Sequence, residues 1–123
     1  MNGNSIFIDT NIVLYLLGGN NKLAELLDKK TIYVSFITEL ELLGYKDLNE
    51  NDKIIIQSFL NECRIIGINK NIKINTIKIK QKNKTKLPDA IIAATSQFLK
   101  IQLITSDKGF NKIKDLDFHL FEI

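Results

Sequence analysis

Short apolar runs alternate along this chain with stretches of helical spacing. Ile6, Phe7 and Ile8 form a run too short for an amphipathic helix and rich in β-forming side chains, which predicts a buried strand. Ile12, Leu14, Tyr15, Leu16 and Leu17 then crowd a helical turn that Gly18-Gly19 stops. Leu23, Leu26 and Leu27 recur at three and four residues, with Lys22, Glu25 and Asp28 facing out, and predict a second helix. Residues 31–36, centred on Ile32, Tyr33 and Val34, predict the second strand. Helical spacing returns over 38–45, with Thr38 as N-cap and Glu41 three residues on, the capping-box spacing. A further helix starts at Asn51 or Asp52 and keeps Ile55, Ile56, Phe59, Leu60 and Cys63 on one face. Ile65, Ile66, Gly67 and Ile68 predict a third short buried strand.

Residues 72–80 alternate isoleucine with charged or polar residues at period two, which by itself argues for a strand. Lys86-Leu87-Pro88-Asp89 then opens a clear helix, since proline is tolerated in the first turn and an acid there suits the dipole. Ile91, Ala94, Thr95 and Phe98 mark one face of it, and Ala90, Ala93 and Ala94 permit close packing. Residues 102–105 predict a fourth strand, Phe110 and Ile113 a short helical turn, and residues 118–121 a last strand. Strands alternating with helices predict an α/β fold: a three-layer sandwich with a central, mostly parallel sheet of four to five strands flanked by helices. Crossover connections of one hand then place the strand carboxyl ends on one edge.

Composition adds bounds. At 123 residues, with little Pro or Gly, the chain is expected to be one domain over 1–123. The single cysteine, Cys63, has no internal disulfide partner and reads as a small buried apolar side chain, which fits a reducing compartment. No apolar run is long enough to span a bilayer and no signal-like segment opens the chain, so a cytoplasmic location is expected. The net charge of +3 comes almost entirely from lysine and favours an anionic partner only slightly.

The acids change the picture more. Asp9 follows the first strand and Asp107 the fourth, so both fall at the edge where ligands bind in open α/β sheets. Glu41 and Asp89 are expected in the first turns of helices that follow that edge. Carboxylates crowded together repel, and a hard divalent cation with oxygen ligands removes the conflict. Each acid also has a plainer role open to it: Asp9 as a helix N-cap, Glu41 as a capping-box acid, Asp89 as a dipole partner, Asp107 as a turn residue.

Four blocks then resemble the PIN domain family, and most closely its VapC-like toxin ribonucleases: residues 6–11, IFIDTN; 35–44, SFITELELLG; 87–95, LPDAIIAAT; and 103–110, LITSDKGF. They occur in the family's order and span almost the whole chain. The resemblance implies an endoribonuclease in which Mg²⁺ or Mn²⁺ activates water against an RNA phosphodiester. It implies that Asp9, Glu41, Asp89 and Asp107 are catalytic residues and metal ligands, with Thr10, Asn11 and Thr105 in support. It further implies a cognate antitoxin protein and a homodimer, and a helix around 70–83, which we take over the period-two reading. Two details depart from the family's pattern. The glycine stands one residue closer to the second acid than in many relatives, and Glu39, two residues before Glu41, competes for the same role.

Lys73, Lys78, Lys80, Lys82, Lys84 and Lys86 form a basic run, either a solvated face or, at Lys84 and Lys86, a rim that steers RNA by charge. His119, the only histidine, reads as a surface or strand residue, and Tyr15, Tyr33 and Tyr45 as core or interface. Two alternatives within the resemblance are a non-cleaving RNA- or protein-binding module and a housekeeping RNA-processing nuclease. A phosphatase wants a second Asp where Asn11 stands, and a receiver domain's acidic contexts are absent.

Overall fold

The computed structural model describes residues 4–123, so the first three residues of the expected single domain lie outside it. Among the described residues, five strands form one sheet: Ser5–Ile8 (β1), Thr31–Ser35 (β2), Arg64–Ile66 (β3), Leu103–Thr105 (β4) and Phe118–Leu120 (β5). Their order is β3-β2-β1-β4-β5 and every pairing is parallel. The helices between them are Thr10–Leu17 (α1), Asn21–Leu27 (α2), Phe36–Leu43 (α3), Glu50–Asn61 (α4), Lys70–Lys82 (α5) and Leu87–Leu99 (α6). A short 3-10 turn, Lys108–Lys112, follows β4.

Strand side chains alternate between the two faces, and this divides the core. Ile6, Ile8, Val34 and Ile104 pack on one face against Ile12, Val13, Leu23, Ile56 and Leu60 of α1, α2 and α4. Leu103 packs on the other face with Ile72 and Ile79 of α5 and Ala90, Ala93 and Ala94 of α6. That is the expected three-layer α/β sandwich, with an all-parallel sheet of five strands. The alanines of α6 let α5 lie close, and Asn75 Nδ2 on α5 donates to Gln97 Oε1 on α6 at 2.6 Å. Among the described residues no helix is long and apolar enough to cross a membrane.

Side-chain caps set most helix starts. Asp9, Asn20, Asn49 and Asn69 each accept the backbone N–H three residues on. Ser35 accepts that of Ile37 at 3.0 Å, which ends β2 and starts α3 before Thr38. Thr38 is therefore no N-cap but a buried residue inside the helix, and Glu41 lies near the end of α3 instead of in its first turn. Asn49 caps α4 one residue before Glu50, so that helix begins earlier than Asn51. β3 is an edge strand, and Arg64 and Ile65 are exposed where a buried strand was expected. Phe98 is likewise exposed, outside the buried stretch Ala90 to Ser96.

Residues 72–80 are helical, as the resemblance implied and against their period-two pattern. The buried members of α5 are Ile72, Thr76 and Ile79, a stripe at four and three residues. Thr76 can sit in it because its hydroxyl donates to the Ile72 carbonyl at 2.7 Å. Ile74 and Ile77 point to solvent, which gave the isoleucines their false strand register.

Candidate active site

β1 is flanked by β2 on one side and β4 on the other, so the chain order reverses between β1 and β4. Ligands of open parallel sheets bind at such a reversal, beyond the strand carboxyl ends. Asp9 leaves β1 at that point, and Thr105 is the last residue of β4.

Asp9 is nearly buried and doubly held. Its Oδ1 accepts the Ile12 N–H at 3.0 Å, and its Oδ2 accepts the Thr105 hydroxyl at 2.5 Å. The same Thr105 oxygen accepts the Asp107 N–H at 3.0 Å. One fully buried threonine thus ties the acid after β1 to the acid after β4. Asp107 is further pinned by the Gly109 N–H, which donates to its Oδ1 at 2.8 Å.

Glu41 reaches the site from α3. Thr10 Oγ1 donates to its Oε1 at 2.6 Å and shares a hydrogen bond of 3.0 Å with Thr38 Oγ1. Asp89 sits half-buried in the first turn of α6, two residues after its first residue. These four acids border one open cleft of about 330 Å³, with Thr10 and Asn11 between them. Glu39 does not border it. Two residues along a helix turn a side chain by about half a circle, so Glu41 and Glu39 cannot both face the cleft.

Burial pushes the Asp9 carboxyl up to about 6, against the Thr105 and Ile12 hydrogen bonds that favour its charge, and Asp89 and Asp107 push it further. Burial also raises Asp89, with Asp107 and Glu41 adding to the effect and Lys86 and Lys112 opposing it. The acids therefore sense one another's charge across the cleft.

Hard oxygen donors, mutual repulsion and the absence of any lysine from the side chains bordering the cleft fit Mg²⁺ or Mn²⁺. Among the described residues no three His, Cys, Asp or Glu side chains stand close enough together to hold a metal ion jointly. Mg²⁺ does not need three, because it takes one or two carboxylates and keeps several waters.

Lys84 and Lys86 lie off this cleft, in an adjoining one that shares Asp89 and Asp107. Tyr45 and Ile92 border the acid cleft and were not singled out for it in the sequence. Tyr45 stands two residues beyond the end of α3, past the Gly44 C-cap, so no helical spacing from Glu41 marked it. His119 is exposed on edge strand β5 and borders a different cleft, with Ser5 at the opposite end of β1. The half-buried Cys63 donates its thiol to the Phe59 carbonyl at 3.3 Å, and burial raises it to about 11, so it is no reactive thiolate.

The PIN domain family model matches residues 6–116. Among solved structures, a toxin–antitoxin complex from Klebsiella pneumoniae is similar at 31% identity, with a TM-score of 0.82 over 96% of this chain and 99% of that one. VapBC-1 from nontypeable Haemophilus influenzae is similar at 27% identity, with a TM-score of 0.78 over 94% and 97%. VapBC2 from Rickettsia felis, bound to a promoter DNA fragment, shares the fold at 19% identity, with a TM-score of 0.86 over 96% and 99%. No curated protein matches the chain.

Proposed function

Because the chain belongs to the PIN domain family, we propose that it is a divalent-metal-dependent endoribonuclease and the toxin of a toxin–antitoxin pair. One observation carries this reading: four carboxylates, from four separate elements, border one cleft at the sheet's reversal point, and no basic side chain borders it with them.

Asp9, Glu41, Asp89 and Asp107 would hold the metal between them, one or two by direct bonds and the others through its waters. Mg²⁺ or Mn²⁺ bound there supplies Lewis-acid polarisation of the phosphoryl oxygen and makes water acidic enough to attack near neutral pH. The chain's own residues prepare that chemistry. Thr105 fixes the orientation of Asp9 and the backbone of Asp107, and Thr10 fixes Glu41. With no histidine bordering the cleft, the proton lost by the attacking water goes to a carboxylate. The water oxygen bonds to phosphorus as the opposite P–O bond breaks, and the leaving oxygen takes up a proton from solvent. Exposed Asn11 and Tyr45 border the cleft and would meet the substrate's sugar or base.

The antitoxin partner is inferred from the toxin–antitoxin neighbour at 31% identity. The family resemblance implies a homodimer, and the lone, unreactive cysteine supports the expected cytoplasmic location. Incubation with labelled single-stranded RNA tests the activity. Cleavage is expected with Mn²⁺ or Mg²⁺, and none with EDTA or in Asp89→Asn. RNA bound but left intact by the metal-loaded wild type would make the protein a binding module instead. A small DNA-binding protein encoded beside it, neutralising it on co-expression, would establish the toxin role against RNA processing.

A further inference from the structure

The acid cleft continues into a second cleft of about 220 Å³, which shares Asp89 and Asp107 with it and whose remaining border is Lys84, Thr85, Lys86 and Lys112 with Gly109, Phe110 and Ile113. Three observations give it the character of an anion seat. The first is that its loop is tied down by ammonium groups. Lys112 Nζ donates to the Lys84 carbonyl, and Lys80 Nζ to the Thr85 carbonyl at 2.7 Å. An ammonium has three donors, so Lys112 retains two.

The second is the start of α6, a helix of 13 residues whose N-cap, Lys86, gives no side-chain cap. The positive end of the helix dipole thus lies beside the cleft without a capping oxygen, and of the first turn only Asp89 borders the cleft, Pro88 having no N–H to offer. The third is Thr85, only 8% exposed, whose Oγ1 is buried with no hydrogen-bond partner. The hydroxyls of Thr76, Thr95, Ser96 and Thr105 are all bonded. One χ1 turn exchanges a threonine's hydroxyl and methyl positions, and an anion in the cleft would give the hydroxyl an acceptor.

We propose that this cleft seats the RNA phosphate next to the one that is cleaved, with Lys112 and Thr85 joining Lys84 and Lys86 in holding it. This rests on the nuclease reading. Charge decides the order of the two phosphates. The reacting phosphate sits with the carboxylates and their cation, and its neighbour along the backbone has no such cation and needs the lysines. The shared border of Asp89 and Asp107 places the two seats side by side. Lys84 and Lys86 thereby become fixed contacts of a positioned nucleotide in addition to a steering charge.

The test compares wild type with Lys86→Gln, Lys84→Gln/Lys86→Gln and Lys112→Gln in Mn²⁺-supported cleavage across a salt series. The expected result is a KM raised roughly tenfold with kcat changed less than about twofold, because ground-state and transition-state binding are lost equally. The salt dependence should flatten by about 0.7 in the log–log slope per lost phosphate contact. A substrate with one neutral methylphosphonate beside the cleaved linkage should weaken wild type as much as the lysine variants, and the two changes should not add. Unchanged KM and salt slope in variants of a wild type that cleaves would overturn the seat and leave the nuclease standing. Should wild type cleave nothing, the nuclease reading fails, and RNA binding by Asp9→Asn with and without Lys84→Gln/Lys86→Gln still reads the seat. Lys112→Gln alone losing folded structure would not matter, since Lys86→Gln removes no bond to the loop's carbonyls.

Discussion

Thr105 Oγ1 stands 2.5 Å from Asp9 Oδ2, closing a bond between residues 96 positions apart. The same oxygen receives the Asp107 N–H, so one hydroxyl holds two of the four acids. Thr105→Val keeps the shape and removes both bonds. Stability should fall by about 1–3 kcal/mol, the cost of leaving buried polar groups unpaired. Because that hydroxyl favours ionised Asp9, its loss should also move the acid limb of the pH–rate profile upward. Thr105→Ser should restore both. Urea denaturation and a pH–rate profile read the two effects.

Asp9→Asn should abolish cleavage while stabilising the metal-free protein at neutral pH. The folded carboxyl, at about 6, lies above its ordinary value of 3.8. The folded protein therefore binds the extra proton between those values. This group's stabilising contribution is present below pH 3.8 and is lost as pH rises through 6. At about 1.4 kcal/mol per pH unit, the cost at pH 7 is roughly 3 kcal/mol. The asparagine avoids it, so in EDTA the variant should unfold at higher urea than wild type at pH 7.5 and at nearly the same urea at pH 3.5.

Metal should reverse that order. Binding to the folded state alone stabilises by about 2.7 kcal/mol at a hundredfold excess over Kd. Mn²⁺ should therefore raise the wild-type Tm at pH 7.5 and leave Asp9→Asn almost unmoved. At pH 5, where Asp9 is mostly protonated, the rise should shrink. Thermal scans in EDTA and in Mn²⁺ at the two pH values check this.

Glu41→Gln and Glu39→Gln should separate cleanly. Only Glu41 faces the cleft and accepts the Thr10 hydroxyl. Its substitution should cut kcat at least about a hundredfold, in the range of catalytic carboxylate losses. Glu39→Gln should stay within about twofold. Equal losses in both would remove Glu41 from the site.

On α5, Ile72→Ala should cost about 2–5 kcal/mol, the usual range for a fully buried isoleucine. Ile77→Ala, at a position 57% exposed, should stay within about 0.5 kcal/mol. A strand at 72–80 would place 72, 74 and 76 on one face and give Ile74→Ala a cost like that of Ile72→Ala. Denaturation midpoints of the three variants decide it.

Local chemistry was legible in the chain itself. The apolar triplet before Asp9, the Gly18-Gly19 stop, the Pro88 start and the alternation of strands with helices depend on neighbours a few residues apart, and they predicted the layered α/β fold. Asp9, Asp89 and Asp107 were legible as candidates for the same reason, since strand ends and first turns are local signals, whereas Glu41 was singled out for a first turn that it does not occupy. Other features depended on packing. Thr38 matched a capping box, but Ser35 reached the helix N–H first. The isoleucines of α5 read as a strand because the helix exposes two of them and buries a threonine satisfied by its own backbone. Which glutamate serves the cleft follows from how α3 is turned toward Thr10, and that Thr105 joins Asp9 to Asp107 follows from β1 and β4 lying side by side. That pairing brings together residues nearly a hundred positions apart, and no local periodicity carries it.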